Sequence, residues 1–183
     1  ISELDWAEVS QARVHGREAI PLFDELLTAW PNLKINIDPK ADGAVIPLIK
    51  ALARPGILPR VCVGSFSGRR LAAMRAALGP ELCTSMAPGE VVRLRLSSLG
   101  LPGFRSWAPL AAAAQVPLRH YGLPVLDGRF VRAAHALGLK VHVWTINDGD
   151  TIARLLDLGV DGIMSDETAL LKSVFTARGL WPV

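Results

Sequence analysis

The sequence predicts an α/β fold of parallel strands, a (β/α) TIM-type barrel that is incomplete in this chain. Short apolar, β-rich runs recur along the chain, amphipathic helical patterns lie between them, and glycines stand where helices hand over to strands. The runs are Leu33 to Asp38, Arg60 to Ser65, Leu82 to Met86, Lys140 to Ile146 and Val160 to Ser165. Most lack polar alternation, which suits strands covered on both faces, as in parallel sheets.

The helices follow from spacing. Leu71, Met74 and Leu78 fall at i, i+3, i+7, and Ile152, Leu155 and Leu156 at i, i+3, i+4, while Phe130, Val131, Ala134 and Leu137 make a third apolar face. Gly79, Gly138 and Gly159 close these three helices where a left-handed cap residue is wanted. The stretch from Ala87 to Leu126 carries prolines at 88, 102, 109, 117 and 124 and is less regular; it is assigned a helix at Trp107 to Ala114 and a strand near Val116. The total is five or six strands. A closed barrel has eight and typically runs to about 250 residues, so the 183 residues read as one domain forming the later part of such a barrel. An open sheet is the alternative, but no Gly-x-Gly-x-x-Gly follows a strand and no Gly-x-x-x-x-Gly-Lys loop occurs.

Composition removes several function classes. Half of the residues are hydrophobic and a fifth charged, enough for a substantial core. The net charge of +3 is dispersed, with no run of five or six like charges and no aromatic residues interleaved with basic ones, so nucleic acid is not an expected partner. Cys62 and Cys83 sit in apolar stretches outside any Cys-x-x-Cys pair and read as buried thiols. No apolar run approaches the ~18 residues of a transmembrane segment. The first residues lack the pattern of a signal peptide and there is no initiator methionine, so the N-terminus reads as processed or as lying partway through a longer product.

Polar residues at strand ends are the candidates for chemistry. In Lys34-Ile-Asn36-Ile-Asp38-Pro-Lys40 the even-numbered side chains share a face, which brings Asn36, Asp38 and Lys40 toward the C-terminal end of a strand. A carboxylate there can hold a hard cation and a lysine can meet a phosphate, or the two can form an ordinary ion pair. Gly64-Ser65-Phe66-Ser67 precedes a helix, where hydroxyls and N–H groups can meet an anion or Ser67 can simply cap. His142 and Trp144 share a strand face; His142 reads as a satisfied core residue, and Trp144 as packing near the rim. Asp161 and Gly162 read as turn residues, and Asp166 as a cap for the last helix. No Gly-x-Ser-x-Gly elbow occurs and no histidine stands at metal-ligand spacing from another.

Asn36-Ile-Asp-Pro-Lys40, Gly64-Ser-Phe66, Trp144-Thr-Ile-Asn147 and Gly159-Val-Asp-Gly-Ile-Met-Ser-Asp166, in that order and spacing, together resemble the glycerophosphodiester phosphodiesterase family. Ile20-Pro-Leu22 with Glu25-Leu-Leu27 is similar to the family's I-P-T-L-x-E-x-L helix, and the resemblance covers essentially the whole chain. It implies a metal-dependent hydrolase on a (β/α) barrel that cleaves glycerophosphodiesters to glycerol-3-phosphate and an alcohol. Asp38 matches the family's metal-binding acid and Lys40 the lysine near the substrate phosphate; Phe66 and Trp144 match aromatic positions around the glycerol, with Asn147 nearby. The implied cofactor is a divalent cation, Mg or Ca, and the implied partner a small glycerophosphodiester.

The family's H-R-G, E-x-D and H-D motifs are absent from the 183 residues, so no catalytic histidine of the family lies within this chain. Asp38 stands where the family has Glu, and Ser165-Asp-Glu-Thr168 where it has T-D-R-P. The expectation is a phosphodiesterase segment that supplies one metal ligand and part of the pocket but is inactive by itself, in the cytoplasm by preference. The alternative is a non-catalytic binding module derived from the same barrel, covering its open strand edges by homo-oligomerisation.

Overall fold

The computed structural model describes residues 3–103 and 107–181. They fall into two compact units, Ile1–Val63 with Arg69–Cys83, and Gly64–Gly68 with Thr84–Val183. No helix among the described residues is long and apolar enough to cross a membrane.

The first unit opens with a short helix, α1 (Trp6–Val9), capped by the Asp5 carboxylate, which accepts the Glu8 N–H at 3.0 Å. An antiparallel hairpin follows, β1 (Arg13–Val14) and β2 (Glu18–Ala19), turned by His15 and Gly16 at positive φ. The predicted helix around Glu25 is α2 (Phe23–Ala29), whose entry is fixed by the Leu22 N–H donating to Glu25 Oε2 at 2.9 Å. Strand β3 (Ile35–Ile37), helix α3 (Val45–Leu52), strand β4 (Val61–Val63) and helix α4 (Gly68–Leu78) then alternate as expected. Strands β3 and β4 pair in parallel, Ile35 opposite Val61 and Ile37 opposite Val63. Leu52, Val63, Leu71 and Met74 are wholly buried, the last two on the predicted face of α4. Both cysteines are half-buried; burial first, and then the neighbouring Cys83 thiol, push the Cys62 thiol up to about 12, so it stays protonated and unreactive at neutral pH.

The second unit holds a parallel three-stranded sheet in the order β5 (Ala113–Val116), β8 (Lys140–Val143), β9 (Gly162–Ile163). Around it stand α5 (Pro88–Ser98), α6 (Gly128–Ala136), α7 (Gly149–Leu158) and α8 (Thr168–Ala177), and a hairpin of β6 (Arg119–His120) and β7 (Leu123–Pro124) follows β5. Asp127 caps α6 by accepting the Phe130 N–H at 2.9 Å, and Asp148 caps α7 by accepting the Thr151 N–H at 2.9 Å. Gly138 and Gly159 end their helices at φ 74° and 90°, which frees the chain to turn straight into the next strand. The core gathers Leu94, Ala114, Val116, Phe130, Leu139, Val141, Val143 and Ile152.

Several local expectations are corrected. Residues 107–112 form no helix, and Ala113 and Ala114 belong to strand β5 instead. An alanine run favours a helix only weakly, and here burial of Ala113, Ala114 and Val116 beside β8 overrides that preference. The run at Leu82 to Met86 forms no full strand but is bridged at Thr84 and Ser85, Ser85 in parallel with Ala113, and the Met86 N–H donates to the Ala113 carbonyl at 2.8 Å. Gly162 is a strand residue rather than a turn residue: a Cβ there would stand 2.8 Å from His142 Cδ2, so the close approach of β9 to β8 requires glycine. Asp166 does not cap α8, because its carboxylate is taken by Asn147.

Phe130 is the largest side chain buried without any exposure in the second unit. Phe130→Ala is expected to destabilise the protein by about 3–5 kcal/mol, from lost transfer energy and the cavity left behind. Urea denaturation followed by tryptophan fluorescence measures it, and a change under about 1 kcal/mol contradicts the packing described.

Candidate functional site

In the first unit, β3 ends at Ile37 and the chain continues as Asp38-Pro39-Lys40. Asp38 and Lys40 are two residues apart just past the end of β3, and the Lys40 ammonium donates to Asp38 Oδ2. Asp38 is 28% exposed and Lys40 77%. Pro39 between them is buried, and its carbonyl accepts a hydrogen bond from Arg70 Nη1 at 3.2 Å, which fixes the segment. Arg70 is held in turn by Asp42, which accepts from its Nε at 2.7 Å. The structure thus brings Asp38 and Lys40 together as an ion pair just past the strand's C-terminal end, while Asn36 stands mid-strand and exposed.

In the second unit, the predicted aromatic residues meet. The Phe66 and Trp144 rings stand edge to face, with centroids 5.7 Å apart and planes at 78°. Phe66 is 62% exposed, so the pair offers an apolar surface to solvent instead of filling a core. The turn that presents Phe66 is shaped by small groups. Ser65 is buried and its Oγ accepts the Ser67 N–H at 3.2 Å. A Cβ on Gly64 would lie 2.8 Å from Ser85 Oγ and 3.2 Å from Gln115 Oε1, so only glycine lets the chain pass.

Asn147 is a clamp between two loops. Its Oδ1 accepts from the Ser165 hydroxyl at 3.0 Å and from the Asp166 N–H at 2.9 Å, and its Nδ2 donates to Asp166 Oδ2 at 3.0 Å. The loop after β8, which carries Trp144, is thereby tied to the loop after β9. His142 is placed as expected for a satisfied core histidine: its Nδ1 lies 3.3 Å from Gln115 Nε2, and burial holds its pKa below the ordinary imidazole value, so the ring is neutral.

Sequence reasoning missed Asp161. Its carboxylate accepts from His135 Nε2 at 2.8 Å, Lys140 Nζ at 2.9 Å and the Val141 N–H at 2.9 Å, at the N-terminal end of β8. His135, Lys140 and Asp161, with Gly138 and Leu139, line a shallow depression of about 200 Å³. Burial pushes the Asp161 carboxyl up, but the hydrogen bonds from Lys140, Val141 and His135 outweigh it and bring the pKa from 3.8 to about 2. The available signal was an acid directly before a buried β run, at the opposite strand end from the rim.

A divalent cation of the Mg or Ca type takes six or more oxygen ligands. Asp38 supplies a hard carboxylate oxygen of the right chemistry, yet the described residues contain no group of three His, Cys, Asp or Glu able to hold a metal.

Sequence comparison decides the family. The profile of the glycerophosphoryl diester phosphodiesterase family matches residues 1–170. The chain belongs to that family. A Mycobacterium tuberculosis protein named probable glycerophosphodiester phosphodiesterase 2 is 36% identical over 184 residues, covering 99% of this chain and 69% of that protein. Among solved structures, a glycerophosphodiester phosphodiesterase of Parabacteroides distasonis superposes with a TM-score of 0.74 at 19% identity, over 98% of this chain and 74% of the other. A phosphodiesterase of Oleispira antarctica, solved with the product sn-glycerol-3-phosphate, superposes with a TM-score of 0.57 at 21% identity, over 83% of this chain and 58% of the other. The mixed α/β fold of this family member is thus the fold of those phosphodiesterases.

The Asp161 carboxyl titrates lower in the folded protein than in the unfolded chain, so it stabilises the fold above about pH 4 and loses that contribution as pH falls toward 2. Asp161→Asn is expected to lower stability at neutral pH and to flatten this acid limb. Thermal melts of both proteins across the acid range check it; parallel limbs refute the assignment.

Proposed function

We propose that this chain serves a phosphodiesterase that hydrolyses glycerophosphodiesters to glycerol-3-phosphate and an alcohol, with a divalent cation, Mg or Ca, at the reacting phosphate. The observation that carries the reading is the exposed, edge-to-face pair of Phe66 and Trp144. An aromatic wall suits the carbons of a glycerol unit while leaving its hydroxyls free to hydrogen-bond. The Oleispira antarctica phosphodiesterase, which carries sn-glycerol-3-phosphate, supports the same product here.

In this reading Asp38 is one of the cation's ligands, and Lys40 neutralises charge on the phosphate as a mobile point charge. Their mutual ion pair keeps both side chains at the strand end until substrate and cation compete for them. Asn147 positions the Trp144 loop through its contacts with Ser165 and Asp166. The general acid is not among the 183 residues, so they supply ligand and pocket without turnover of their own. All 183 residues are read as one barrel domain contributing five or six of eight strands, a reading supported by a family match that runs through both units.

The test is release of glycerol-3-phosphate from glycerophosphocholine by the longest product of the gene, followed by a coupled dehydrogenase. Activity requires Mg²⁺ or Ca²⁺ and is lost with EDTA. Asp38→Ala is expected to lower kcat/KM by roughly 100-fold or more, and Lys40→Ala by a smaller factor expressed mainly in KM. Full activity in Asp38→Ala removes Asp38 from the cation; no release with any cation leaves the binding-module reading.

A further inference from the structure

We infer that Gln115 is the positioning residue of the aromatic pair: its side chain touches the base of both arms and sets the spacing of Phe66 and Trp144. That the pair meets substrate rests on the phosphodiesterase reading; that Gln115 spaces the rings does not.

Strand alternation puts Gln115 in place. On β5 and β8, Ala114, Val116, Val141 and Val143 turn into the core shared with the helices, so Gln115 and His142 turn to the opposite face. The two stand directly across from each other in the parallel register, and Gln115 Nε2 donates to His142 Nδ1 at 3.3 Å. The other end of the amide reaches the opposite way. Gln115 Oε1 lies 3.2 Å from where a Cβ on Gly64 would stand, beside the buried Ser85.

Both contacts fall two residues before a ring: Gly64 precedes Phe66, and His142 precedes Trp144. Little freedom lies between contact and ring. Ser65 is buried, with its Oγ accepting the Ser67 N–H at 3.2 Å, and the Trp144 N–H donates to the Val116 carbonyl at 3.2 Å, on the strand that carries Gln115. A shift at either end of the amide is therefore passed to a ring.

The rings do not fix their own gap. Edge-to-face pairs are favourable over centroid distances of about 4.5–7 Å, so the 5.7 Å between Phe66 and Trp144 is set by what holds their backbones. Stability alone does not call for glutamine opposite histidine either, because replacing both partners of a buried polar pair by apolar side chains is often neutral or stabilising. What the amide supplies is reach in two directions, to His142 on one side and to Gly64 on the other.

Fluorine NMR of the longest product of the gene, with tryptophan replaced by 5-fluorotryptophan, reads the spacing without turnover. Trp144→Phe assigns the Trp144 resonance, and Phe66→Leu gives its position without the facing ring. Gln115→Ala removes both contacts and is expected to move the Trp144 resonance most of the way to its position in Phe66→Leu, leaving the other tryptophans in place. Gln115→Met keeps the side-chain volume, serves where the truncation fails to fold, and is expected to move the resonance partway. With glycerophosphocholine, Gln115→Met is expected to raise KM roughly tenfold with kcat within about twofold. A Trp144 resonance unmoved in Gln115→Met overturns the inference. So does equal displacement of every tryptophan resonance, which marks a general loss of packing. A moved Trp144 resonance with unchanged KM upholds the positioning and removes the aromatic pair from the substrate, a failure of the phosphodiesterase pocket alone.

Discussion

Parallel strands β8 and β9 need a fixed starting register, because Val141 and Val143 are buried on one face of β8 and a slip of one residue would turn every side chain the wrong way. Asp161 provides it. Its main-chain N–H donates to the Val141 carbonyl at 2.8 Å, while its carboxylate accepts the Val141 N–H at 2.9 Å. The side chain thus replaces a backbone acceptor and adds a rung ahead of the pairing between His142 and Gly162. Lys140 and His135 then neutralise the charge that this rung brings with it. With the register set, Gly162 faces His142 at a distance no other residue permits, and Ile146 reaches the Met164 carbonyl at the far end of the pair.

The far end is where the loops after β8 and β9 emerge, and the clamp of Asn147 with Ser165 and Asp166 is the counterpart of Asp161. The two differ in what they leave available. Asp161 has its lone pairs used by three donors, so it is structural. The clamp holds a loop whose tryptophan stays partly exposed against Phe66. Order at one strand end and an accessible aromatic surface at the other is the division of labour expected of parallel α/β architecture, in which stability and chemistry occupy opposite faces.

Much of this was legible in the sequence because the responsible forces are local or periodic. The faces of α4, α6 and α7 follow from helical spacing, and Gly79, Gly138 and Gly159 from the left-handed cap, with φ of 75°, 74° and 90°. The Asp38 and Lys40 pair follows from their two-residue spacing at the end of β3. What failed depended on tertiary partners. Ala113 and Ala114 carry helix propensity but are buried as strand, and Asp166 has a cap's composition but was claimed by Asn147, nineteen residues away. The hairpins at His15-Gly16 and Tyr121-Gly122 escaped because their first turn residues lack the usual asparagine or aspartate signal. The meeting of Phe66 with Trp144 was implied only by family resemblance, since no spacing rule connects residues so far apart.

The same reasoning separates residues by the kind of evidence that can reach them. Asp38 is a carboxylate whose visible partner, Lys40, is an exposed ammonium, and an exposed pair of this kind contributes little to stability. A partly exposed strand end that terminates in such a weak pair gains almost nothing structurally from it. Buried Pro39, whose carbonyl accepts from Arg70, instead fixes the backbone that presents Asp38. Asp161 is the contrary case in the same chain: fully engaged, strongly acidic and remote from the rim loops. The contrast in partner saturation, more than residue type, sets the carboxylate that holds the fold apart from the candidate for chemistry.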